Sequence, residues 1–170
     1  HRLASLSCAL LATAHNNWKA APMLGCASSN QAAAPVLNPS DLRDVVGALR
    51  VANEIERIGD LAKNIGKRVL DLSGEYPSLK LIRGVEHMST LVLGQLKRVL
   101  DSYAQRDLPS ALAVWKGDEE IDAICTSLFR ELLTYMMEDP RNITFCIHLM
   151  FCAKNIERMG DQCVNIAKVI

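Results

Sequence analysis

Residues 55–66 read Ile-Glu-Arg-Ile-Gly-Asp-Leu-Ala-Lys-Asn-Ile-Gly, and residues 156–167 read Ile-Glu-Arg-Met-Gly-Asp-Gln-Cys-Val-Asn-Ile-Ala. Glu, Arg, Gly, Asp and Asn recur in one register, 101 residues apart. Such a repeat constrains the fold more than any local signal, because the architecture must then be built from copies of one unit. Each copy lies in a run of apolar residues spaced by three and four. The first is Leu42, Val45, Leu49, Ala52, Ile55, Ile58, Ala62, Ile65, Val69 and Leu72. The second is Ile143, Ile147, Met150, Ala153, Ile156, Met159, Cys163, Ile166 and Ile170. This is the stripe of a helix that buries one face. Prolines 39, 77, 109 and 140 stand where the periodicity restarts, and the first helical turn tolerates proline because its N–H there has no partner to lose. Four helices are predicted, near 40–72, 78–106, 109–138 and 141–170. Asn38-Pro39-Ser40-Asp41 reads as a capped start and Ser73-Gly74 as a stop. No sustained alternation or Asn-Gly turn signals a strand. The expected fold class is all-α, with a three-helix unit from about residue 78 to 170.

The first copy lacks the two preceding helices that the second has. Residues 1–37 contain no acidic residue, are rich in Ala, Ser, Cys and Pro, and show no amphipathic pattern. They do not resemble 109–138, as a complete repeat would require. The chain opens on a histidine and stops within an apparent helix, so both ends read as cut.

Composition removes several function classes. The net charge is zero, which gives no long-range field toward nucleic acid or anionic lipid. Few aromatics are present to stack on bases. No segment is long and apolar enough to span a bilayer. Residues 2–14 have only the outline of a secretory signal. The six cysteines form no C-x-x-C pair, and several sit among apolar helical residues. They read as free thiols packing as small hydrophobes in a reducing compartment, which favours the cytosol.

On a helix, positions i, i+4 and i+8 share a face. Glu56, Asp60 and Asn64 therefore make one ladder of oxygen-bearing side chains, and Glu157, Asp161 and Asn165 a second. Like charges at i, i+4 cost roughly 0.2–0.5 kcal/mol. Gly59 and Gly160 each cost about 1 kcal/mol relative to alanine within a helix. Both penalties, incurred twice at matching positions, call for compensation: a group that approaches the glycine closely, and a cation that satisfies the carboxylates. Hard oxygen donors suit Mg, Mn, Ca or oxidised iron rather than structural zinc. The ladders border the apolar stripe, so a metal would sit at the rim of the bundle. A structural polar seam fits the same residues, with Lys63 pairing Asp60 and with Arg57 and Arg158 pairing acids on adjacent helices, although Val164 replaces Lys63 in the second copy. From the residues alone both readings stand.

Other constellations carry less. His87 and His148 belong to no Glu-x-x-His pair, so the ligands of a ferritin-type di-iron site are missing. No metalloprotease, P-loop or dinucleotide motif occurs. Asp118-Glu119-Glu120-Ile121-Asp122 reads as a solvated acidic face near a helix start. Trp115 and Met136-Met137 read as core or interface. No nucleophile–base pair emerges, and an enzyme is not expected.

At Glu56-Arg57-Ile58-Gly59-Asp60 with Asn64-Ile65, and at Glu157-Arg158-Met159-Gly160-Asp161 with Asn165-Ile166, the chain resembles the PhoU family of phosphate-uptake regulators. That family is marked by an E(D)-x-x-x-D motif in each of two repeats. The similarity continues through Asp41-Leu42-Arg43, Trp115-Lys116-Gly117-Asp118-Glu119-Glu120-Ile121-Asp122 and Asn142-Ile143-Thr144. The resemblance implies an all-α protein of tandem three-helix-bundle repeats, cytoplasmic and homo-oligomeric, often a dimer. Here the first repeat would be incomplete: an atypical leader over 1–38, a remnant of the first repeat over 39–74, and a second repeat over 75–170. Implied too is a negative regulator that links a phosphate ABC transporter, through its ATPase subunit, to a sensor histidine kinase, with no nucleic acid and no direct membrane insertion. The implied ligands for iron, manganese, magnesium or zinc are Glu56, Asp60, Glu157 and Asp161, supported by Asn64, Asn165, Arg57 and Arg158. An incomplete first repeat would leave the stripe of the first helix uncovered and prone to self-association.

Overall fold

The computed structural model describes residues 39–72 and 79–170. Within them the chain forms helix α1 (Pro39–Asp71), α2 (Leu79–Gln105), α3 (Leu108–Glu138), a 3-10 turn (Pro140–Asn142) and α4 (Ile143–Ala167). No strand occurs among the described residues. The four expected helices are therefore present, with one change: Pro140 opens a 3-10 turn before α4 instead of α4 itself. Ser73-Gly74, Pro77, Cys8, Cys26 and the 1–38 leader lie outside the described residues.

Local chemistry sets the boundaries. The Asp107 carboxylate accepts from the Ser110 N–H at 3.4 Å and Pro109 occupies the first turn, so α3 begins with an orphan donor satisfied. Asp139 accepts from the Arg141 N–H at 3.0 Å and pairs with its guanidinium, which fixes the α3–α4 corner and holds the Asp139 carboxyl below its ordinary value.

Helices α2, α3 and α4 pack mutually as a three-helix bundle, and α1 lies on α4. Val85, Met88, Leu96 and Val99 of α2, Val114, Ile121 and Leu132 of α3, and Leu149, Met159 and Ile166 of α4 are almost wholly withdrawn from solvent. Each such side chain contributes about 1.5–3 kcal/mol of burial. Cys125, Cys146, Cys152 and Cys163 are buried free thiols in this core. Burial pushes Cys152 up to about 11 and Cys163 up to about 12, with thiols inert at neutral pH.

Helix α1 runs antiparallel to α4. Gly47 lies beside Val169 and the Arg68 guanidinium covers the Phe151 ring at 4.3 Å, which places Ile58 opposite the stretch around Met159. The two repeat copies thus meet near mid-length of the seam. The buried stripe of α1 is Val51, Ile58, Ala62, Ile65 and Val69. Leu42, Val45 and Leu49, expected in that stripe, are exposed because no described helix covers them. On α4, Ile143 and Ile147 are likewise exposed, and Phe145, Cys146 and Leu149 take the interior positions.

Candidate functional site

Three helices bring oxygen-bearing groups together around the second repeat copy. Helix α4 supplies Glu157 and Asp161, α3 supplies Asp118 and Asp122, and α2 supplies Gln95. The Asp118 Oδ1 stands 2.9 Å from where a Cβ on Gly160 would lie, with Ile121 Cδ1 at 3.5 Å and Gln95 Oε1 at 3.9 Å. The glycine is thus explained: it admits an acidic side chain from α3 against the α4 backbone. Asp118 is half-buried, and its carboxyl is pushed up to about 6, first by burial, then by Asp122, Asp161 and Glu157, with Lys168 opposing. Three carboxylates, one on α3 and two on α4, therefore act electrostatically on Asp118.

Glu157 is largely covered. Its Oε1 accepts from Lys154 Nζ at 2.7 Å, while its Oε2 is buried with no hydrogen-bond partner. That bond raises the Lys154 ammonium above its ordinary value. The Gln95 Oε1 is also buried and unpartnered. Asp161 is exposed and Asn165 half-buried. A cation is the kind of ligand these orphaned oxygens fit. Even so, among the described residues no three His, Cys, Asp or Glu side chains converge closely enough to hold a metal ion.

The first copy is built differently. Glu56, Asp60 and Asn64 are all exposed, and a Cβ on Gly59 would meet nothing within 4 Å. Lys63 makes no ion pair with Asp60 among the described residues, and Arg57 pairs with Glu54 of its own helix at 3.5 Å instead of an acid on a neighbour. Arg158 is exposed and makes no ion pair among the described residues. The repeat-equivalent of Asp118 is missing from the described face beside Gly59, and with it the enclosure seen at Gly160.

The structure adds Gln95, Lys154 and Glu54 to the residues the sequence singled out, and moves Asp118 from a solvated acidic face to the side of Gly160. Asp118 lies ten residues into α3, so the helix-start explanation of the 118–122 acids fails; Glu119, Glu120 and Asp122 remain exposed. The Asp118–Asp122 spacing repeats that of both ladders and was the available signal. Trp115 is 57% exposed and Met137 85% exposed, so neither is core, while Met136 packs against it. His87 is exposed; His148 is half-buried with its Nδ1 unpartnered.

These features can be set beside known proteins. The family model for the PhoU domain matches residues 26–69 and 85–170. A phosphate-specific transport system accessory protein PhoU homolog of Rhizobium meliloti (strain 1021) is 60% identical over 131 residues, 77% of this chain and 55% of that protein. The homolog of Caulobacter vibrioides (strain NA1000 / CB15N) is 54% identical over 130 residues, 76% of this chain and 56% of that protein. The chain thus spans little more than half the length of these relatives. Among solved structures, PhoU from Pseudomonas aeruginosa superposes with a TM-score of 0.72 at 28% identity, covering 98% of this chain and 77% of that one. The phosphate transport system regulatory protein PhoU from Streptococcus pneumoniae, with a TM-score of 0.70 at 22% identity over 98% of this chain and 74% of that one, shares the fold. With a family model over most of its length and the duplicated motif in place, this chain belongs to the PhoU domain family.

Proposed function

We propose that this protein is an accessory regulator of phosphate uptake, acting by binding rather than turnover. The observation that carries the proposal is its high identity to proteins named as accessories of the phosphate-specific transport system. In this reading it works in the cytoplasm as a negative regulator, contacting the ATPase subunit of a phosphate ABC transporter and a sensor histidine kinase, and it self-associates. No helix among the described residues is long and apolar enough to cross a membrane. Co-purification of the transporter ATPase with the tagged protein is the expected result. Failure to recover it from phosphate-replete cells would count against the adaptor role.

The second motif copy is the better candidate for a metal. Glu157 and Asp161 would hold the ion, and Asp118 of α3 would have to move closer to join them as a third ligand; bound there, a cation would offset the repulsion these carboxylates exert on Asp118. Glu56 and Asp60 of the first copy offer only an exposed pair. A purely structural role is the competing reading, favoured by the Lys154–Glu157 pair. Metal content after native purification separates the two. The metal reading expects bound iron, manganese, magnesium or zinc that is lost in Glu157→Ala/Asp161→Ala and largely retained in Glu56→Ala/Asp60→Ala.

A further inference from the structure

Gln95 is the side chain at the second motif copy that neither the repeat nor the acidic run accounts for. It stands on α2 among core residues and is 8% exposed. Glutamine is seldom buried so far, and a buried amide normally keeps its hydrogen bonds. Here the carboxamide is seated against glycines of two other helices. Its Nε2 lies 3.1 Å from where a Cβ on Gly117 of α3 would stand, and its Oε1 lies 3.9 Å from the matching point on Gly160 of α4.

The oxygen end faces the same notch that Asp118 enters, since Asp118 Oδ1 stands 2.9 Å from that point on Gly160. Two acceptors thus turn toward one spot, and Gln95 Oε1 has no hydrogen-bond partner. The Oε2 of Glu157 on α4 is orphaned in the same way. Buried acceptors gathered without donors are complementary to positive charge. Asp118, Glu157 and Asp161 together carry more negative charge than a divalent ion offsets, so a neutral carbonyl adds a bond without adding repulsion. Carbonyl and carboxylate oxygens together suit manganese, magnesium or calcium better than zinc.

We propose, resting on the metal reading of Glu157 and Asp161, that Gln95 is a further ligand of that cation, an uncharged oxygen from α2 that sets its preference for hard ions. The repeat does not mark this residue, because it comes from a helix that carries no copy of the motif.

The test uses the 170-residue chain, stripped with chelator and then titrated calorimetrically with Mn2+ and with Zn2+ at pH 8, where protons compete least. Gln95→Met, close in size but without the oxygen, should weaken Mn2+ about tenfold or more and Zn2+ distinctly less. Gln95→Glu, which restores an oxygen, should bind Mn2+ at least as tightly as the parent. In chelator at pH 8, Gln95→Met should also melt higher than the parent, because it removes a buried oxygen left without a partner. Mn2+ binding that survives Gln95→Met but is lost in Glu157→Ala/Asp161→Ala would overturn the role of Gln95 and leave the metal reading standing. A parent chain that takes up neither ion would sink both. Equal losses of Mn2+ and Zn2+ would mark a structural effect and overturn the proposal. So would a lower melting temperature for Gln95→Met in chelator, which would mean that the amide is turned over and donates to Asp118.

Discussion

Gly59 and Gly160 occupy matching positions in the repeat, yet their surroundings give them opposite fates on substitution. Gly59 faces open space, so Gly59→Ala should stabilise the protein by up to about 1 kcal/mol through helix propensity alone. Gly160→Ala would drive a methyl against Asp118 Oδ1 and should instead destabilise by about 1 kcal/mol, the low end of overpacking costs. Thermal melts of the two variants check the opposite signs. Asp118 supplies a second prediction at this scale. Its folded carboxyl is raised to about 6, above its ordinary value, so the native state holds a proton that the unfolded state has released. In the presence of chelator, stability should therefore fall as pH rises from about 4 to about 6 and then level. Asp118→Asn should remove that slope and raise the melting temperature at pH 7. Denaturant titrations across this range test it, and a slope unchanged in the variant would count against the assignment.

At the scale of elements, α1 touches the bundle chiefly through α4, whereas α2, α3 and α4 hold one another. Hydrogen exchange should then show α1 amides opening at lower free energy than those at the centres of α2 and α4. Ile58, 1% exposed in the seam, is the natural lever. Ile58→Ala should cost about 2–5 kcal/mol, with the protection loss concentrated in α1. The helices themselves were legible in the sequence because proline positions and three-four apolar spacing are local properties. The burial of α1 was legible only in part. Periodicity places Val69 and Ile65 in the interior, where they are buried, but it places Leu42, Val45 and Leu49 there too, and these no described helix covers, because periodicity does not say which neighbours exist. The same holds for the carboxylate cluster. Glu157 and Asp161 were visible as an i, i+4 pair, while Asp118 and Gln95 reach them from other helices, and that convergence is tertiary.

For the molecule as a whole, the face of α1 that no described helix covers dominates. The repeat offset pairs exposed Val45 with buried Cys146, and half-buried Ala52 and Ile55 with buried Ala153 and Ile156, so among the described residues α1 leaves partly open a surface that its counterpart in α4 hides against two helices. Exposed apolar area of this kind favours association. The 170-residue chain should self-associate in a concentration-dependent way by sedimentation velocity, and Val45→Asp/Leu49→Asp should shift it toward monomer. A monomer at all concentrations in the parent chain would contradict this. The contact pattern also ranks the helices by how far damage travels. Every other described helix leans on α4, so a lesion at Leu149 or Met159 propagates to all of them, while one on the outer side of α1 stays local. Tolerance to random substitution should therefore be poorest along one rod, the backbone pillar that carries the second motif.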